Sequence, residues 1–169
     1  CEYAGKVYVA DIGFPRKSVD FAQADAYYYE PDDIVCNLPK RIAYSHKGTF
    51  GRVVVIAGCD TMSGACFLSA KAAYRMGAGL VHVVSTPSNR DTLLSALPEI
   101  LFSTREEIKK VLPLASAVVI GPGIGLSKQS EELVEYVLAN TKVPTVVDGD
   151  AITICAKKDI TLSLIHISE

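Results

Sequence analysis

Two carboxylates, Asp148 and Asp150, flank a single glycine directly after the apolar run Pro144-Thr145-Val146-Val147. Paired acids at such a point can hold a water, a metal or a substrate hydroxyl. Capping a following helix would need only Asp150, and the two roles are compatible. A second apolar run leads into Gly121-Pro122-Gly123-Ile124-Gly125. One glycine suffices for a turn. Three alternating glycines with a rigid proline favour a backbone cradle for a ligand. A third run leads into Gly58-Cys59-Asp60-Thr61-Met62-Ser63-Gly64-Ala65. Glycines there let backbone N–H groups approach a ligand, and the start of a helix favours a phosphate. A tight turn that merely admits the helix fits this phrase equally well. It is neither a P-loop, which needs Gly-Lys-Ser/Thr, nor the dinucleotide fingerprint G-x-G-x-x-G.

The remaining candidates are weaker. Lys47 and Arg52 lie in Ser45-His46-Lys47-Gly48-Thr49-Phe50-Gly51-Arg52, where either could meet a phosphate. His46 reads as polar surface. His82 alternates with apolar neighbours and reads as a satisfied core histidine. Nothing in the order of the residues suggests a Ser–His–Asp triad. Five cysteines, Cys1, Cys36, Cys59, Cys66 and Cys155, form no CxxC pair and have no histidine at metal-ligand spacing, so no metal site is expected. An odd, unpatterned set fits reduced thiols in a cytoplasmic setting. Cys66 and Cys155 sit in apolar stretches, as small hydrophobes do.

These loops need a scaffold. The chain has 169 residues, 49% hydrophobic and 21% charged, an ordinary globular composition with ample length for a core. A net charge of -2 implies no broad basic surface, so a nucleic-acid partner is not expected. No apolar run approaches the ~18 residues of a membrane helix, and no membrane partner is expected. The first residues, Cys1-Glu2-Tyr3-Ala4-Gly5-Lys6, do not read as a signal peptide.

Lys6–Ile12 reads as a strand. Residues 16–44 lose periodicity and read as a connection, with a short helix near Val19–Ala26 and Tyr27-Tyr28-Tyr29 packing on a surface. From Ser45 the pattern becomes regular. Arg52–Gly58 is a continuous β-branched run, the mark of a strand covered on both faces. Ser63–Met76 has helical spacing, with Ala65, Leu68, Ala72, Ala73 and Met76 on one side. Strands are expected at Leu80–Ser85, Glu99–Phe102, Ser116–Ile120 and Thr145–Val147. Helices are expected at Pro87–Leu97, Arg105–Leu112, Ser127–Ala139 and Ala151–Ala156. Ser127 is the expected N-cap of its helix, with Leu133, Val134, Val137 and Leu138 inward. Strand–helix alternation with short joints predicts an α/β fold, an open and mostly parallel sheet with helices on both faces. Ligands of such sheets bind at the carboxyl ends of the strands. That rule selects the three loops above and predicts that they converge.

Taken in order, these phrases resemble the NAD(P)H-hydrate dehydratase family, whose fold is ribokinase-like. The carriers are His46–Arg52 running into Val53–Gly58, then Ser63-Gly64-Ala65, Arg75-Met76-Gly77-Ala78-Gly79-Leu80-Val81 and Pro98-Glu99. Val119–Gly125 and Val147-Asp148-Gly149-Asp150-Ala151 complete the set. Residues 3–15 (YAGKVYVADIGFP) resemble the closing strand of the epimerase domain found in fused, bifunctional versions. The resemblance implies a lyase of metabolite repair. Its substrate is the S form of hydrated NADH or NADPH, its donor ATP or ADP with Mg2+, and its product NADH or NADPH. It also implies that Gly64 and Ala65 lie near the nicotinamide end and that Gly121, Gly123 and Gly125 cradle it. Asp148 and Asp150 would organise the crevice floor, and Lys47 is a phosphate-proximal candidate. Family members often form homo-oligomers, an expectation for the full-length protein.

The departures matter as much. The family's later phrases, including the Gly-Ser/Thr-Gly-Asp motif with its catalytic aspartate, do not occur in these 169 residues. No catalytic residue is therefore expected in the chain, which reads as truncated on its C-terminal side and inactive alone. Asp-Gly-Asp stands where the family usually has Asp-Ala-Asp. Residues 159–169 leave the pattern and read as a non-native tail. The expected organisation is the end of an epimerase domain at 1–20, a linker at 21–44 and the front of the dehydratase domain at 45–169. Two other readings stay open: a ribokinase-like small-molecule kinase and a non-catalytic dinucleotide-binding module.

Overall fold

A computed structural model describes residues 6, 8, 10, 12–15, 17–18, 21, 31–38 and 43–160. The expected strand at Lys6–Ile12, the helix near Val19–Ala26, the tyrosine triplet and the tail beyond residue 160 lie wholly or partly outside these residues. The chain divides into two units, Cys1–Ile42 and Ala43–Glu169. In the first, Lys17 and Ser18 are helical, and one helix is described from end to end, α1 (Pro31–Asn37), all of it exposed. The sequence pattern did not predict α1, yet its start is chemically ordinary. Pro31 supplies a helical φ, and Asp32 and Asp33 face the positive end of the helix dipole.

The second unit alternates strand and helix without interruption. Its elements are β1 (Arg52–Ile56), α2 (Ser63–Arg75), β2 (Leu80–Ser85), α3 (Arg90–Ala96), β3 (Leu101–Thr104) and α4 (Ile108–Val111). There follow β4 (Ala117–Ile120), α5 (Lys128–Asn140), β5 (Thr145–Val147) and α6 (Asp150–Lys157). The five strands form one sheet in the order β3-β2-β1-β4-β5, and every pairing is parallel.

Both faces of the sheet are covered, which explains the unbroken apolar strands. Val54, Ile56, Val84, Val118 and Ile120 point to one face and pack against residues of α4, α5 and α6. Val55, Val81 and Val83 point to the other and pack against Cys66 and Ala70 of α2 and Leu93 of α3. The alternation follows from the two-residue period of a strand. Each fully buried Val or Ile contributes about 1.5–3 kcal/mol, so β1, β2 and β4 anchor the unit. Ser127 caps α5 as expected, its hydroxyl accepting from the Ser130 amide at 3.2 Å. Leu133, Val134 and Val137 are buried below it.

Two helical expectations change. In α2 the inward side carries Cys66 and Ala70, with Phe67, Ala73 and Tyr74 packed beside them, while Leu68 is 65% and Met76 84% exposed. Small residues occupy several faces of this helix, so periodicity does not single out the buried one. Cys66, Ala70 and Ala73 let the helix lie close to β1 and β2. The expected single helix at Arg105–Leu112 is broken into a turn at Arg105–Glu107, the short α4 and a second turn at Leu112–Leu114. Pro113 cannot continue a helical hydrogen-bond ladder.

His82 differs in a way that makes a prediction. It is 8% exposed, and its Nε2 lies 3.1 Å from Ser103 Oγ, but its Nδ1 is buried without a partner. It is therefore only half satisfied. Burial, and after it the charge of Arg52, hold its pKa below the usual 6.5. Above that pH the group is neutral in both folded and unfolded chains and costs nothing. Below it the unfolded chain binds the proton first, so stability falls as the pH drops. Urea titrations from pH 7 to pH 5 are expected to show a larger loss in the wild type than in His82→Gln, and equal losses would clear His82 of the effect. Burial also pushes the Cys66 thiol up to about 11. A thiol reagent at neutral pH is expected to modify exposed Cys36 and to spare Cys66 until the protein unfolds, as mass mapping of the adducts would show.

Candidate functional site

The sheet adds β2 and β3 on one side of β1, and β4 and β5 on the other. The crevice of such a sheet opens at this reversal, between the loops that leave β1 and β4. Those are the cysteine- and glycine-containing phrase at 57–62 and the Gly-Pro-Gly-Ile-Gly phrase at 121–125. The third selected loop, 148–149, leaves the neighbouring strand β5.

The three loops are tied together through backbone. The Gly58 amide donates to Pro122 O at 2.9 Å. The Asp148 amide donates to Ile120 O at 3.0 Å, and the Gly125 amide donates to Asp150 Oδ2 at 2.9 Å. Two glycines make the approach possible. Gly121 has φ +122°, and a Cβ there would stand 1.8 Å from Asp148 O. Gly123 has φ +61°, and a Cβ there would stand 2.9 Å from both Met62 Cβ and Ala65 Cβ. Any side chain at either position would force the loops apart. The first turn of α2 is open by contrast. No side chain caps it, and no atom lies within 4 Å of where a Gly64 Cβ would stand. Its unpaired N–H groups carry the positive end of a 13-residue helix. An open hollow of about 250 Å³ beside them is lined by Ser63, Gly64, Phe67, Thr92, Leu93 and Ala96. A larger one of about 360 Å³, lined by residues such as Leu112, Tyr136 and Val143, lies at the opposite ends of the strands.

The structure thus brings Gly64, Ala65, Gly121, Gly123, Gly125, Asp148 and Asp150 to one end of the sheet. Asp150 is the first residue of α6 and not its N-cap, which is Gly149. Its carboxylate is engaged with the loop after β4, while Asp148 is exposed. Lys47 is not brought there. It begins the turn Lys47–Phe50 that precedes β1, and that turn packs on Gly79, which precedes β2. Both positions are at the amino ends of the strands. A five-residue strand spans roughly 17 Å at ~3.3 Å per residue, so Lys47 is remote from the crevice within this chain. His46 does more than decorate the surface: its Nδ1 accepts from the Gly48 amide at 3.1 Å, and its own amide donates to Thr49 Oγ1 at 3.3 Å. That reciprocal cap fixes the turn.

Sequence reasoning missed Arg105 and Ser130. Arg105 follows β3 and reaches under the crevice. Its Nη2 donates to Gly58 O at 2.7 Å and to Ile124 O at 2.8 Å. Its Nη1 donates to Ser130 Oγ at 3.1 Å, and Ser130 Oγ in turn donates to Ile124 O at 2.8 Å. Burial lowers the pKa of the guanidinium, but an arginine remains a cation. Asp60 lies in the loop after β1, where its bond from Ser88, then Thr86, holds its carboxyl below the usual range. Arg105 lies immediately after β3, where the carboxyl-end rule also applies, but the strand expected at Glu99–Phe102 stopped short of it, because β3 runs two residues further, to Thr104.

Comparison with known proteins identifies the fold and the family. The family profile for NAD(P)H-hydrate dehydratase matches residues 53–165. A bifunctional NAD(P)H-hydrate repair enzyme from Coxiella burnetii is 34% identical over 158 residues, covering 92% of this chain and 32% of that protein. A crystal structure of a ribokinase-like superfamily protein from Enterococcus faecalis superposes with a TM-score of 0.74 at 30% identity, over 83% of this chain and 53% of that one. An ADP/ATP-dependent NAD(P)H-hydrate dehydratase from Bacillus subtilis, crystallised with ATP/Mg2+, superposes with a TM-score of 0.67 at 28% identity, over 76% and 48%. The chain spans between about a third and a half of the length of these proteins. Its fold is a ribokinase-like α/β sheet, and the chain belongs to the NAD(P)H-hydrate dehydratase family.

Proposed function

We propose that the protein carrying this chain dehydrates the S form of hydrated NADH and NADPH at the expense of ATP or ADP. The observation that supports this most is the meeting of three backbone loops at the reversal point of the sheet. A dinucleotide needs close backbone approach, and Gly64, Ala65, Gly121, Gly123 and Gly125 are placed to allow it. The uncapped first turn of α2 offers N–H groups to an anionic or carbonyl oxygen. Asp150 fixes the Gly125 amide, and Asp148 is free to reach the contents of the crevice.

The nucleotide, when bound, supplies the phosphoryl group that makes the hydrate's hydroxyl a leaving group. Phosphate then departs with the loss of a proton from the adjacent ring carbon, which restores the ring double bond. Among the described residues no group of three His, Cys, Asp or Glu side chains comes together to hold a metal ion. Neither the donor site nor the proton acceptor is assigned to these residues. The work assigned to them is to bind and orient the hydrate. The chain alone is accordingly inactive in this reading. Residues 1–20 close a preceding epimerase domain, 21–44 link it to the dehydratase part, and the setting is cytoplasmic. Among the described residues no helix is long and apolar enough to cross a membrane.

The deciding assay compares the 169-residue chain with the full reading frame that encodes it. Each is given hydrated NADH with ATP or with ADP, and NADH regeneration is followed by absorbance. Regeneration by the full protein and not by the short chain is expected. An inert full protein with both donors would transfer the case to a small-molecule kinase or a binding module. Gly123→Ala is expected to raise the KM for the hydrate about tenfold or more. Its Cβ meets Met62 and Ala65, and an ångström of misplacement can cost that much. An unchanged KM would remove Gly123 from the substrate cradle.

A further inference from the structure

We propose that Arg105 is a positioning residue, whose guanidinium sets the spacing of the two glycine-bearing loops against which the hydrated nicotinamide is held. The inference rests on the functional reading above for its substrate and on the geometry alone for the loop spacing. Gly58 O and Ile124 O belong to different loops, yet both lie within 2.8 Å of the same Arg105 Nη2. Two carbonyl oxygens converging on one point repel each other unless a donor stands between them. The second arm of the fork extends the clamp to Ser130 in the first turn of α5. Ser130 is fully buried and returns a bond to Ile124 O.

The clamp acts where the ligand-facing surfaces are closest. Gly58 also donates to Pro122 O, so the residues on both sides of Gly123 are held to the loop after β1. Gly123 in turn faces Met62 and Ala65 at the start of α2. Arg105 itself lies beneath this contact and comes from a third loop, after β3. A single side chain thus joins the carboxyl ends of β1, β3 and β4. Lysine cannot replace it, because one ammonium does not span the acceptors that a planar fork reaches.

The test uses Arg105→Met, which keeps the stem and removes the fork, and Arg105→Lys, which keeps the charge. In the full-length enzyme, Arg105→Met is expected to raise the KM for the hydrate about tenfold with the nucleotide KM unchanged. Arg105→Lys is expected to recover only part of the loss. A methionine variant with unaltered kinetics overturns the proposal. So does a parallel rise of both KM values, which would mark a general structural role, and so does a lysine variant equal to wild type. Amide hydrogen exchange on the 169-residue chain separates this inference from the functional one. Residues 58–65 and 121–125 are expected to exchange about tenfold faster in Arg105→Met, with the second half of α5 unaffected. Unchanged loop exchange overturns the clamp even if the enzyme proves to be a dehydratase. Faster loop exchange in a protein that turns over no hydrate keeps the clamp and discards the substrate.

Discussion

Between β1 and β4 the chain reverses the direction in which it adds strands, and the rest of the site depends on the gap this leaves. A parallel sheet covered on both faces has no room for a ligand within its layers. The only places where backbone groups can face a ligand are the strand ends. At most strand ends the next crossover closes over the sheet. At the reversal the crossovers depart to opposite faces, so the loops after β1 and β4 stand side by side. In this chain the two crossovers lead to α2 on one face and α5 on the other.

Loops so close must satisfy their own polar groups without filling the gap with side chains. Here that is done from beneath and from the side. Arg105 takes up converging carbonyls, Asp150 takes up the Gly125 amide, and the Gly58 amide bonds across to Pro122. Each bond removes a polar group that would otherwise be buried unpaired, at roughly 1–3 kcal/mol apiece. The groups left over include Arg105 Nε, buried without a partner, and the uncapped N–H groups at the first turn of α2, where a Gly64 Cβ would meet nothing. Most of the inward-facing polarity of these loops is therefore consumed by the fold, while the first turn of α2 keeps its own uncapped.

Much of this was legible in the residues. The β-branched runs ending in glycine marked β1 and β4 because a strand buried on both sides tolerates nothing polar. Ser127 marked the start of α5 because only a short oxygen-bearing side chain reaches the orphan amides there. The glycines at 121, 123 and 125 marked a loop with unusual backbone demands. Other features were hidden for identifiable reasons. The buried side of α2 was misread because alanines occupy several of its faces. Lys47 looked like a phosphate ligand because its residue type suits one, but type carries no information about which end of a strand a turn occupies. His82 looked satisfied because alternation reports burial and not the number of partners.

By itself, then, the sequence determined the kind of sheet, the order of its elements and the three loops at the carboxyl ends of its strands. All of these depend on local pattern: hydrophobic period, capping chemistry and glycine placement within a few residues. Tertiary structure alone decided how the loops meet. Arg105 is 47 residues from Gly58 and 19 from Ile124, and Asp150 is 25 from Gly125. No local preference encodes such contacts, because they exist only after parallel pairing has brought distant strand ends to one edge.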